Sequence, residues 1–199
     1  MLYFKKQSLN QYKYEREVML MKILVTGIGI TGKSTFRRGL VRRLREVSLE
    51  VVQYDADEFT ELRSLEDIDC KTPNGFKKDV LYIIEDIHGL ETGGAYMRLE
   101  EYDLIAYLLP GRISHLMFWF SRCWKWFQFG QFSWEKGLGW KGTGKPYDYR
   151  NILPIIKAVI RDFKNREVWI SNDLRAINHF PHLIVRPYWT PRGIRFSFF

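Results

Sequence analysis

Residues 23–34 read Ile23-Leu24-Val25-Thr26-Gly27-Ile28-Gly29-Ile30-Thr31-Gly32-Lys33-Ser34, an apolar run that ends in the pattern G-x-x-x-x-G-K-S. Every fixed position of a phosphate-binding loop is filled. The flanks suit it too: a strand-like run leads in, and a helix-like segment from Ser34 to Val47 leads out. In that setting backbone N–H groups can surround a polyphosphate. Gly27, Gly29 and Gly32 let the chain turn tightly and approach the phosphates without a Cβ in the way. Lys33 is expected to reach the β- and γ-phosphates and the Ser34 hydroxyl to ligate Mg²⁺. Thr31 and Thr35 complete the expected nucleotide cradle. The bland alternative is a glycine-rich turn between a strand and a helix. The full motif in the right flanks favours a nucleoside triphosphate site, with ATP and Mg²⁺ as the cofactors.

A chain of 199 residues fits one domain and is long enough to bury a proper core. Hydrophobic residues at 46% and charged residues at 27% are ordinary for a soluble globular protein. No apolar stretch approaches the roughly 20 residues that span a bilayer. Residues 1–20 lack the apolar core and small-residue cleavage site of a secretory signal. Their mixed polarity supports no element, and they read as an N-terminal extension to a domain at 21–199. Cys70 and Cys123 form no C-x-x-C, so neither a metal nor a disulfide framework is expected. A reduced, cytoplasmic setting is the default.

The net charge of +8 suits a polyanionic ligand and raises nucleic acid as a competing partner. Much of the excess sits at Arg37, Arg38, Arg42, Arg43 and Arg45. Phe36, Leu40 and Leu44 recur there every four residues, which puts the arginines largely on the opposite face. A solvated helix face explains them more simply than a nucleic-acid surface does.

Further along, Glu50 to Tyr54 reads as a strand running into Asp55-Ala56-Asp57-Glu58-Phe59. Val80 to Ile84 and Leu104 to Leu109 are continuous apolar runs, as expected for strands buried on both sheet faces. The spacing of Ile152, Ile155, Ile156, Val159, Ile160 and Phe163 predicts an amphipathic helix over 151–166. A final strand is expected at Leu183 to Val185, closing at Pro191-Arg192-Gly193. Strands alternating with helices predict an α/β fold with a mainly parallel sheet and helices on both faces.

Ligand groups gather at the carboxyl ends of the strands in such a sheet. The second strand delivers Asp55 and Asp57 there, and the third delivers Glu85 and Asp86. One carboxylate should hold the metal, and another should orient and deprotonate an attacking hydroxyl. Acidic residues also cap helices at such turns, which is the plainer reading of any single one. His88 follows the third strand and reads as structural. His115, His179 and His182 lack metal-ligand spacing and are assigned no chemistry.

Tyr82-Ile83-Ile84-Glu85-Asp86-Ile87-His88-Gly89-Leu90 resembles the uridine kinase and phosphoribulokinase family, in which an apolar strand ends in Glu-Gly-(apolar)-His/Phe. Asp57-Glu58-Phe59 is similar to that family's Asp-Ser-Phe-Tyr, and Tyr102 to Arg122 to its fourth strand and lid helix. The resemblance covers most of residues 22–125. It implies a P-loop NTPase fold and ATP-dependent phosphorylation of a hydroxyl on a nucleoside or sugar-like acceptor. It assigns metal binding to Ser34 and Glu85, acceptor activation to Asp57 and lid contact with the phosphoryl group to Arg122. The chain departs from the pattern at Asp86, where the family has Gly, at Thr60, and in a lid rich in aromatics rather than arginines. Asp55-Ala56-Asp57 is also similar to the Asp-x-Asp of shikimate- and gluconate-type kinases, which again selects Asp57.

The aromatic segment, Ile113 to Trp140, with a glycine-rich basic stretch after it, reads in three ways. As part of an aromatic-rich lid at 113–145 it would close over the site and exclude water. Its Trp and Phe beside Lys and Arg also suit a membrane surface. Core packing is the third reading, and helical spacing does not separate them. The expectation is a small-molecule kinase, with catalysis by Lys33, Asp57 and Arg122. The rival is a nucleotide-dependent ATPase or switch module, membrane-associated in one version.

Overall fold

The computed structural model describes residues 21–55, 77, 80–86, 90, 99–129, 132–135, 139–142 and 152–199. The elements run β1 (Met21–Thr26), α1 (Lys33–Glu46), β2 (Glu50–Asp55), β3 (Val80–Glu85), a 3₁₀ turn (Leu99–Glu101), β4 (Leu104–Leu108), α2 (Arg112–Phe129), β5 (Phe132–Glu135), β6 (Gly139–Gly142), α3 (Ile152–Ile177), β7 (His182–Thr190) and β8 (Gly193–Phe198). A six-stranded sheet has the order β2-β3-β1-β4-β7-β8, and β5 pairs with β6 in a separate antiparallel ribbon. Every pairing in the large sheet is parallel except that of β7 with β8. The expected α/β fold with a mainly parallel sheet is the one observed.

The apolar runs at 23–25, 80–84 and 104–108 are unbroken because both sheet faces are covered. One face carries Ile23, Val25, Leu81, Ile83, Ala106, Leu108 and Val185, and packs on Phe36 and Val41 of α1. The other carries Leu24, Tyr82, Ile84, Ile105 and Tyr107, and packs on Leu174 and Ile177 of α3. Successive residues of one strand thus feed two different cores.

The strand order creates a crevice. From β1 the chain leaves toward β2 on one side, and from β4 it leaves toward β7 on the other. Adjacent strands whose exits diverge leave an opening at their carboxyl ends, where α/β proteins collect ligands. The 27–32 loop occupies that point. It is pressed against the end of β4: a Cβ on Gly27 would lie 2.6 Å from the Leu108 carbonyl oxygen, and φ at Gly27 is +141°. Only glycine fits both demands.

The C-terminal region departs from expectation. The strand expected at 183–185 extends over His182–Thr190, and Pro191-Arg192 turns the chain into a further strand, β8. Pro187 does not break β7 because it lies past Val185, the last residue of β7 in register with β4. A proline beyond the neighbouring strand's end forfeits no ladder bond on that side. The helix expected over 151–166 likewise runs on to Ile177.

Gly27→Ala tests the packing of the loop on β4. The backbone conformation alone should cost roughly 1–3 kcal/mol, with the clash against Leu108 added. Urea denaturation should show that loss, and Gly29→Ala should cost much less, since a Cβ there meets only Asp162 Oδ2 at 3.8 Å.

Candidate active site at the carboxyl edge of the sheet

The 27–32 loop is shaped by three residues with positive φ: Gly27 at +141°, Ile30 at +56° and Gly32 at +86°. Backbone turns of this kind are the ones from which anion-binding loops are built. Ile30 is the unusual member, because β-branched residues rarely adopt this conformation. Gly32 caps α1, so the helix points its unsatisfied N–H groups at the same place.

Lys33 is buried, and its Nζ donates to the carbonyl oxygens of Gly27 at 2.6 Å and Ile28 at 3.2 Å. The ammonium therefore arches back over its own loop. One residue on, Ser34 Oγ donates to Glu85 Oε1 at 2.6 Å. Parallel register places Glu85 level with Val25, at the edge of the crevice. The other oxygen of that carboxylate, Oε2, lies 3.0 Å from Arg37 Nε, an ion pair without hydrogen-bond alignment. Arg37 and Glu85 are both buried, so the pair is held at low effective dielectric.

Arg37 thus corrects the reading of α1. Phe36, Arg37 and Val41 are the buried residues of this stretch, whereas Arg38, Arg42, Arg43 and Arg45 are exposed or nearly so. A charge inside an otherwise apolar stripe is the signal that the periodicity contained. Asp86, the other acidic residue at the end of β3, is buried and accepts a hydrogen bond from Thr26 Oγ1 at 2.8 Å. It fastens β3 to β1.

A second residue that sequence reasoning passed over is His115. It lies in the first turn of α2, is fully buried, and its Nε2 stands 2.9 Å from the carbonyl oxygen of Gly29. A carbonyl can only accept, so Nε2 carries the proton and donates. The ring stacks on Phe163 of α3 with centroids 5.1 Å apart. Burial foremost, and then the Arg166 and Lys33 cations, lower its pKa from 6.5 to about 4, although the Gly29 carbonyl favours the charged form. Neutral His115 therefore clamps the loop from above. Arg166 of α3 is a further buried cation here; it donates to the Pro110 carbonyl oxygen and pairs with Glu167, which also holds Arg112 of α2. The loop sits under two helices joined by this network.

The remaining expected positions fall as follows. Thr31 is buried and Thr35 half-buried in the first turn of α1. Arg122 is half-buried on α2, about two turns beyond His115. Asp57 and His88 lie outside the described residues, though β2 ends at Asp55, directly in register with Glu85. Within the aromatic segment, Phe118 and Trp119 belong to the buried core, while Ile113, Leu116, Phe120 and Trp124 are exposed. Among the described side chains of the segment, core packing accounts for Phe118 and Trp119. No helix among the described residues is long and apolar enough to cross a membrane.

Among the described residues no three His, Cys, Asp or Glu side chains group as a metal cage. Mg²⁺ needs none, since one or two protein oxygens complete its shell with phosphate and water. Ser34 Oγ and the Glu85 carboxylate are hard oxygen donors already in contact, and they fit. No family model matches the chain, and no curated protein matches it.

The His115 environment predicts a pH dependence. The native histidine resists protonation until about pH 4, whereas the unfolded one takes a proton near 6.5. Its contribution is intact above pH 6.5 and is lost as the pH falls toward 4, by up to roughly 3 kcal/mol. Urea midpoints at pH 7.5 and 4.5 should separate strongly in the wild type and less in His115→Gln, which keeps a donor for Gly29 but cannot titrate.

Proposed function

We propose that the protein is a P-loop kinase that transfers the γ-phosphoryl group of ATP to a hydroxyl of a small metabolite, a nucleoside or sugar-like molecule, in the cytoplasm. One observation carries the reading: the hydrogen bond from Ser34 to Glu85, residues 51 positions apart in the chain, made beside the loop that Lys33 arches over. A metal-ligating hydroxyl, a carboxylate at the end of the adjacent strand and a phosphate-facing ammonium are the parts that phosphoryl transfer needs.

The division of labour follows from position. The loop amides and the N-terminus of α1 hold the polyphosphate, and a phosphate oxygen entering the loop takes over Lys33 Nζ from the Gly27 and Ile28 carbonyls. Ser34 and Glu85 would hold Mg²⁺, which neutralises charge on the phosphate oxygens. Arg37 pairs with Glu85 and holds it in place. Asp57, two residues past the end of β2, accepts the proton of the acceptor hydroxyl as its oxygen bonds to the γ-phosphorus and the bond to the β-phosphate oxygen breaks. α2 with its aromatic residues serves as the lid, and Arg122 meets the charge that develops on the transferring group. Catalysis of this kind is positioning and charge stabilisation, so no covalent nucleophile is required.

Acceptor dependence tests the reading against an ATPase or switch. Incubation with Mg·ATP and a panel of nucleosides, sugars and polyols should yield one product heavier by a phosphoryl group, with ATP consumption close to idle until that compound is added. Brisk ATP hydrolysis without any acceptor would overturn it.

Two sets of variants check the residues. Mg·ATP at 100 times its Kd should stabilise the wild type by about 2.7 kcal/mol through mass action, seen as a rise in Tm. Lys33→Ala should melt cooperatively without that rise. Asp57→Asn should lower kcat by orders of magnitude with Mg·ATP affinity nearly unchanged, because a base acts in the transition state. Glu85→Gln should in addition shift the Mg²⁺ concentration needed for activity. Indistinguishable kinetics in the two carboxylate variants would refute the division of roles.

A further inference from the structure

β7 is in register with β4 only as far as Val185, yet it continues to Thr190. Those five extra residues carry it about 17 Å past the carboxyl edge of the sheet. Over that length it is paired with β8, from Val185 opposite Phe198 to Thr190 opposite Gly193. A two-stranded arm thus rises beside the loop, on the side away from Glu85.

One face of the arm is turned toward α1. Alternation places Val185, Pro187 and Trp189 on that face, with Phe198, Phe196 and Ile194 as their cross-strand partners. Val185 and Phe196 belong to the core shared with α1. The rings of Phe196 and Phe198 lie 5.2 and 6.3 Å from that of Phe36. Further up the arm, Ile194 Cδ1 would be 3.4 Å from a Cβ on Gly32, the residue that caps α1. The contacts therefore climb from the end of the first turn of α1 to its very start. Trp189 lies directly across from Ile194, on the same face and at the same height. Its side chain is only partly covered, at 38% exposure.

The direction in which a nucleotide must lie follows from the metal-ligating pair. On the phosphate-loop reading, Ser34 and Glu85 would hold the β- and γ-phosphates on the β3 side of the loop, so the nucleoside end would leave toward β4 and β7. β3 and β7 are three strand spacings apart, about 14 Å. That is the reach of a triphosphate with its ribose, rather than of phosphate alone.

We propose that Trp189, backed by Ile194, is the platform on which the base of the bound nucleotide stacks. This rests on the phosphate-loop reading above. The ligand class is a nucleoside triphosphate held at two points, its phosphates in the loop and the face of its heteroaromatic ring against the indole. Stacking of a base on an aromatic side chain is worth about tenfold or more in affinity.

Calorimetric titration with two probes tests this: Mg·ATP, and Mg·tripolyphosphate, which has the phosphates and no base. Wild type, Trp189→Phe and Trp189→Ala are compared, each checked for native circular dichroism. Trp189→Ala should lose most of the preference for ATP over tripolyphosphate, by about tenfold, with tripolyphosphate affinity unchanged. Trp189→Phe, which keeps an aromatic face, should retain most of the preference. An ATP preference that is the same in Trp189→Ala as in the wild type overturns the platform while leaving the loop reading standing. Equal weakening of both probes in Trp189→Ala also overturns it, since the arm would then be only a support for the loop. Failure of the wild type to bind tripolyphosphate overturns the loop reading itself, and the platform with it.

Discussion

The arrangement at the sheet edge hangs on one carboxylate. Glu85 ends β3, takes the Ser34 hydroxyl with one oxygen and meets the Arg37 guanidinium with the other. Strand, loop and helix are thereby locked at a single point. The constraint is electrostatic. A buried carboxylate without partners would shed its charge or unfold its surroundings, and the first five residues of α1 supply this one with both a hydroxyl and a cation. The position of α1 over the sheet, and with it the direction in which the loop amides point, follows from satisfying that charge.

A second layer of organisation comes from above. His115 and Arg166 are both buried, and both direct a donor at a backbone carbonyl beside the crevice, Gly29 in one case and Pro110 in the other. On the proposed reading of the loop, a carbonyl turned inward would repel the anion. The two donors fix the orientation of the Gly29 and Pro110 carbonyls. The helix following β4 is thus part of the loop's construction as well as a cover for it.

Much of this fold could be read in advance, for a physical reason. Strands covered on both faces leave unbroken apolar runs, so β1, β3 and β4 were visible at 23–25, 80–84 and 104–109. The loop was visible because its geometry demands particular residues at fixed positions. The β7–β8 arm was not, because Pro187 interrupts the run and Pro191-Arg192-Gly193 reads equally well as an ending. Arg37 was signalled only as a charge inside an apolar stripe, and His115 by nothing local. Each is a polar residue buried by tertiary contact, and local periodicity carries no information about which carbonyl or carboxylate will be brought to meet it. Asp57 remains an expectation from sequence, adjacent to a strand end that does lie in register with Glu85.

Ile30 remains to be considered. A β-branched residue held at φ +56° is under conformational tension, and glycine there would relax it. Relaxation would also let the segment wander among many shapes in the unliganded protein. The bulky side chain limits that wandering, so on the proposed function the loop would hold its shape before an anion arrives, and capture would then require little loss of backbone freedom. In this respect the loop behaves less as a flexible strap than as a cast, with its least comfortable residue setting the mould.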